Sequence, residues 1–187
     1  MFINCSNLMS LIELPATNLA NYCYENMFKN CEKLVIAPKL SAAELYYACY
    51  RGMFENCTSL KTAPEILATN IENAPYCCAN MFMNCTALVN GPILFPETLS
   101  KCCYYYMFYG CKSLEHVTLV AETLANECCD YMFNYCTNEN LKITFTNLFS
   151  TDIIDLAENN NVFLDAANNI KVNCYDTTVI INDTTAM

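Results

Sequence analysis

The sequence predicts an α/β solenoid, a right-handed superhelix with a parallel sheet on one face and short helices on the other. Three observations carry this expectation. A Met-Phe pair recurs at near-constant spacing, a cysteine follows each pair at a fixed distance, and every interval holds a short extended segment followed by helix-like spacing.

The pair stands at Met1-Phe2, Met27-Phe28, Met53-Phe54, Met81-Phe82, Met107-Phe108 and Met132-Phe133, with successive spacings of 26, 26, 28, 26 and 25. Cys5, Cys31, Cys57, Cys85, Cys111 and Cys136 each follow a Phe by three residues. Leu8, Leu34, Leu60, Leu88 and Leu114 follow the first five cysteines by three, and Cys23, Cys49, Cys77, Cys103 and Cys128 precede a Met by four. One such unit cannot bury its apolar stripe alone. Stacked in register, neighbours bury it in continuous columns.

The unit from Leu34 to Cys57 shows the local logic. Leu34, Ala37 and Leu40 anchor an extended segment that Pro38 keeps short by removing a donor. Ser41 and Glu44 have the spacing of a capping box, repeated by Thr69 and Glu72 in the next unit. Leu45, Cys49 and Met53 at i, i+4, i+8 predict one stripe of an amphipathic helix, with Phe54 beside it. Asn56 suits the left-handed conformation that ends a helix. Its equivalents are Asn4, Asn30, Asn84, Gly110 and the misfit Tyr135.

A period near 26 falls within the range of leucine-rich repeats. The string Cys-Tyr-x-x-Met-Phe-x-Asn-Cys-x-x-Leu-x-x-Ala-Pro resembles the BspA-like (Treponema pallidum type) leucine-rich repeat of bacterial surface proteins, over residues 1 to about 136. The resemblance implies a cell-surface or extracellular adhesin that binds host matrix proteins or other cells. No catalytic residue carries over from it. Similar arrays in phages imply an alternative, a structural component of a virion or surface fibre.

The expected organisation is an array of about five repeats over 1–136, starting mid-repeat, followed by a last strand and C-terminal cap over 137–187. Two extra residues and Pro75 should delay or kink the helix of the third unit, and the fifth unit is one residue short. Leu141–Phe145 reads as the last sheet strand and Ile153–Glu158 as a short helix. Val162–Leu164, Ile170–Asn173 and Val179–Ile181 read as strands, with a turn at Asn168-Asn169.

The formal charge is −10: residues 1–136 carry seven cations against twelve acids, and 137–187 carry two against seven. Counted this way neither half has a basic face, which argues against nucleic acid as a partner. No apolar run approaches membrane-spanning length, so no membrane insertion is expected. Fifteen cysteines without a C-x-x-C pair read as a reduced ladder of small buried hydrophobes, with Cys78, Cys102, Cys129 and Cys174 outside the two columns and most open to reaction. His116 is the only histidine, and three scattered glycines cannot form a phosphate loop. No cofactor, metal or catalytic group is expected. Asn4-Cys5-Ser6, Asn56-Cys57-Thr58, Asn84-Cys85-Thr86 and Asn182-Asp183-Thr184 match the glycosylation triplet, the first three being better explained by helix stopping.

A repeat face without chemistry points to a binding scaffold for a protein or glycan partner. Its specificity should lie in the variable strand-face positions: Met9, Val35, Lys61, Val89 and Glu115, then Ser10, Ile36, Thr62, Asn90 and His116, with Lys39 and Glu65 a further pair. The candidate binding face is therefore Lys39, Lys61, Thr62, Glu65, Asn90, Glu115 and His116.

Overall fold

The computed structural model describes residues 2–10, 13–96, 98–159, 161–163, 165–167 and 170–181. Met1, Leu164, the Asn168-Asn169 turn and the Asn182-Asp183-Thr184 triplet lie outside the described residues.

Stacking the units in register produces a solenoid of about six turns. Phe2, Phe28, Phe54, Phe82, Phe108, Phe133 and Phe163 form one column, with ring centroids 5.5–5.7 Å apart and planes within 9° of parallel. Each such ring contributes roughly 2–3 kcal/mol by burial, and each stacked pair about 0.5–1.5 kcal/mol more. Beside this column runs a column of cysteines. The thiols of Cys31, Cys57, Cys85, Cys111 and Cys136 each donate to the carbonyl of the Phe in the coil before, at 3.0–3.2 Å. Met53, Met81, Met107 and Met132, with Leu34, Leu60, Leu88 and Leu114, complete the core, all fully buried.

One side of each coil is a parallel sheet. Strands β1 (Glu13–Leu14) and β2 (Lys39–Leu40) pair at one end. At the other, β3 (Asn90–Leu94), β4 (His116–Leu119), β5 (Lys142–Phe145) and β6 (Ile170–Asn173) pair in parallel, and β7 (Thr178–Ile181) joins β6 antiparallel. Single bridges Ser10–Ile36, Leu40–Ile66 and Thr62–Asn90 extend the pairing where the proline-interrupted segments are short. Side chains alternate across the sheet: Val117, Leu119, Ile143, Phe145, Ile170 and Val172 face the core. β5 is therefore not the last strand, since β6 and β7 continue its sheet. A one-residue bulge in β3, at Gly91-Pro92, changes the partner spacing from Asn90–His116 to Ile93–Thr118 and accounts for the short fifth unit.

The helices expected opposite the sheet do not form. Among the described residues the one α-helix is α1 (Ser150–Asn159), where Asp152 accepts the Phe149 N–H at 2.9 Å in the manner of a capping box. In the repeats the chain instead runs as a ribbon of consecutive turns with φ > 0 at every fourth residue. Tyr22, Asn26 and Asn30 in one coil match Ala48, Gly52 and Asn56 in the next, then Tyr76, Asn80 and Asn84. The backbone donors divide into two sets. Cys23, Met27 and Cys31 close turns onto Ala20, Tyr24 and Phe28, while Tyr22, Tyr24, Asn26, Phe28 and Asn30 donate to Tyr47, Cys49, Arg51, Met53 and Glu55 of the next coil. From Tyr22 to Cys31 every N–H is satisfied without a helix.

The physical reason lies in coil spacing. Strands pair at about 4.8 Å, whereas packed helices need about 8–10 Å, so helices on one face would force the stack to curve. The ribbon matches the sheet, and the close phenylalanine stacking reflects that match. Accordingly Ser41/Glu44 and Thr69/Glu72 cap nothing: Glu44 bridges to Asn70, and Thr69 N–H donates to the Ala43 carbonyl at 3.1 Å. The two extra residues of the third unit are taken up in a turn at Ile71–Ala74 ahead of the ribbon, and Pro75 offers its carbonyl to Ala48 N–H at 3.0 Å.

The asparagines read as helix stops form a ladder of their own. Asn30 donates to Asn4 at 2.7 Å, Asn56 to Asn30 at 2.7 Å and Asn84 to Asn56 at 3.1 Å. At Gly110, where φ is +70°, a Cβ would come 2.4 Å from the Asn84 Oδ1 and displace that amide, so glycine both suits the backbone and leaves room for the last rung of the ladder.

Past Cys136 the coil geometry continues although the motif does not. Val162 and Phe163 lie in a turn, not the expected strand, and Phe133 N–H donates to the Val162 carbonyl at 2.9 Å. Strands β6 and β7 and helix α1 match the expected Ile170–Asn173, Val179–Ile181 and Ile153–Glu158 within three residues.

Candidate binding face

The sheet register aligns side chains of successive coils into rows across the strands. Thr62 pairs with Asn90, Asn90 with His116, His116 with Lys142 and Lys142 with Lys171, all exposed. Three of the expected face residues, Thr62, Asn90 and His116, thus share one row. Lys39 stands in register with Glu13, and the Leu40–Ile66 bridge places Glu65 on its other side. Lys61 and Glu115 flank the main row through Val89, whose N–H meets the Lys61 carbonyl and whose carbonyl meets the Glu115 N–H. Glu115 is half-buried; the other six are exposed.

Along this face the chemistry changes. At the first coils it is apolar, with Met9 at 62% and Ile36 at 63% exposure beside exposed Val35. It is neutral and polar at Thr62 and Asn90, then carries an imidazole at His116 and cations at Lys142 and Lys171. Two residues further along the strands a second row holds Thr118, Thr144, Asn173 and Thr178, in which Asn173 donates to Thr144 at 3.4 Å and accepts from Thr178 at 3.0 Å. Lys142, Lys171 and this hydroxyl–amide row were missed in the sequence. Leu141–Phe145 and Ile170–Asn173 read as strands, but the 29-residue step from Lys142 to Lys171 breaks the repeat period and hides the alignment.

The cysteines are all free and differ in access. Burial pushes Cys49, Cys57 and Cys136 up to about 12. Cys78 and Cys129, expected to be open, are fully buried. Holding their protons in hydrogen bonds with Cys77 and Cys128, and then burial, keeps their thiols well above the ordinary range. Cys102 is also buried, its thiol 3.2 Å from Glu127, while Cys174 is half-buried. The exposed thiols are Cys5 and Cys23, members of the columns in the first coil, where no preceding coil covers them among the described residues.

Three surface cavities stand out: one of 370 Å³ between Glu122, Asn147, Phe149 and Tyr175, one of 330 Å³ at Thr69, Asn70, Glu72 and Thr98, and one of 230 Å³ on the ribbon beside Asn26, Arg51 and Asn80. Among the described residues no group of three His, Cys, Asp or Glu side chains is placed to hold a metal, and no helix is long and apolar enough to cross a membrane. Comparison with protein-family models, curated proteins and solved structures gives no match.

Proposed function

We propose that this chain is a non-catalytic binding scaffold of the leucine-rich-repeat kind, acting at a cell surface or outside the cell in protein–protein contact or adhesion. The observation that supports the reading is the row register of the sheet face. Side chains from successive coils are exposed in line, on a rigid backbone whose own hydrogen bonds are spent between coils. The change from apolar through neutral to cationic along one face gives a partner several kinds of contact, as a recognition surface requires. The repeat string adds the resemblance to BspA-like surface proteins and, with it, matrix or cell-surface proteins as the partner class.

The test is binding of the intact chain to purified extracellular-matrix proteins and to whole epithelial cells, compared with the variant Ile36→Glu/Lys61→Glu/Thr62→Glu. The expected result is saturable binding that the variant weakens by tenfold or more while its melting temperature stays within a few degrees. Absence of binding across the panel, or binding that the variant leaves intact, refutes the reading.

A further inference from the structure

Five of the seven other cations stand beside an acid or an amide oxygen of an adjacent coil. Lys29 pairs with Glu55 at 2.8 Å, Arg51 with Glu25, and Lys101 with Glu127 at 3.5 Å. Lys33 donates to Asn7 at 2.9 Å, and Lys39 lies in register with Glu13. Lys142 and Lys171 instead face each other. They are direct partners on adjacent parallel strands, His116 is the next member of the row, and no described carboxylate forms an ion pair with any of the three. Like charges in facing positions destabilise a sheet. A chain with nineteen acids and nine cations has every opportunity to place a carboxylate there.

From this juxtaposition we infer that the row His116–Lys142–Lys171 binds a linear anionic polysaccharide lying across the strands of β4, β5 and β6. The inference rests on the binding-scaffold reading and gives that face a ligand class. Two features favour a charged glycan over other polyanions. Lys142 and Lys171 stand one strand spacing apart, about 4.8 Å, with the His116 imidazole one spacing further along the row, which suits a polymer carrying one anionic group per sugar. The parallel row of Thr118, Thr144, Asn173 and Thr178 supplies hydroxyl and amide groups alongside, the partners that sugar hydroxyls need. An acidic peptide would seek backbone groups at a sheet edge, and β4 to β6 are interior strands here. The overall negative charge does not forbid the contact, because at physiological ionic strength charges beyond about 8 Å are largely screened.

The experiment measures binding of a heparin octasaccharide and of oligogalacturonate to the intact chain by calorimetry at 0.15 M salt. Neutral dextran, a poly-glutamate peptide, a single-stranded oligonucleotide and inorganic sulfate serve as comparators. Binding of at least one acidic glycan is expected, weakened tenfold or more in Lys142→Gln/Lys171→Gln and unchanged in Lys29→Gln/Lys101→Gln, which removes equal charge from the ribbon. Lys142→Glu should also abolish binding while raising the melting temperature, since it restores alternation; a merely structural lysine would not combine these effects. Three results overturn the inference: no acidic glycan binds, the double variant binds as before, or poly-glutamate, oligonucleotide or sulfate binds as tightly as the glycan. Matrix-protein binding that persists in Lys142→Gln/Lys171→Gln would leave the scaffold reading standing without it.

Discussion

The coil that closes at Cys136 and the coil that closes at Ala166 share a backbone and little sequence. Both set a phenylalanine in the stacked column, Phe133 and Phe163, 5.7 Å apart. Both hold left-handed residues at matching places, Tyr131 and Tyr135 in one, Asn161 and Asp165 in the other. Phe133 N–H reaches the Val162 carbonyl just as Phe108 N–H reaches that of Met132. Yet Met132 has become Val162, and Cys136 has become Ala166. The backbone therefore requires a large ring in one column, small apolar groups in its neighbours and a tolerated positive φ every fourth residue. It does not require sulfur. What the thiols of the earlier coils add is a set of buried ionisable groups that the last coil lacks.

That difference gives the largest expected effect. Cys49, Cys57 and Cys136 have folded values pushed up to about 12 from an ordinary 9.0. A raised folded value means that the unfolded chain releases these protons first. Stability is thus fully present below about pH 9 and is lost as pH rises toward 12, by about 1 kcal/mol per thiol per pH unit over that range. Urea unfolding in reductant should show a midpoint that is flat from pH 7 to 9 and falls steeply by pH 10.5. A flat midpoint throughout would mean that the cysteine columns are not buried as described.

The phenylalanine column sharpens the same comparison. Phe82 stacks on both Phe54 and Phe108, whereas among the described residues Phe163 stacks on Phe133 alone. Phe82→Ala should cost about 3–5 kcal/mol. Phe163→Ala should cost less by about 1 kcal/mol, the value of the missing stacked pair. Equal losses in chemical denaturation would show that the last coil is held as tightly as the regular ones, and that stacking on two sides adds nothing.

Much of this fold was legible, and the two failures have separate physical causes. The Met-Phe pairs and their cysteines mark the stacked columns, and Leu34 and Leu40, expected as anchors of the extended segment, lie buried on the inward face. The helix was misread because a four-residue turn repeat and an i, i+4, i+8 stripe produce the same sequence pattern over two turns. The distinction was present in the residues. Cys49, Met53 and Cys57 keep a strict period of four, while a helix drifts by 40° per step of four, and Asn26 as well as Asn30 carries a residue type suited to positive φ. A helix has one such position, at its end. The cationic row was invisible for a different reason: charge counted by segment cannot show which coils bring His116, Lys142 and Lys171 together.

The smallest effect tests whether sulfur matters at all to the regular coils. The Cys111 thiol donates to the Phe82 carbonyl at 3.1 Å, but that carbonyl already accepts the Cys85 N–H at 3.0 Å. Cys111→Ala therefore removes one weak bond and a sulfur's volume without orphaning an acceptor, and Ala166 shows the coil closing with that side chain in place. The expected loss is about 1 kcal/mol, with the sheet and ribbon spectra unchanged. A loss above about 3 kcal/mol would exceed any packing account of so small a cavity. Sulfur chemistry in the column would then have to explain why the regular coils keep cysteine where the last coil does without it.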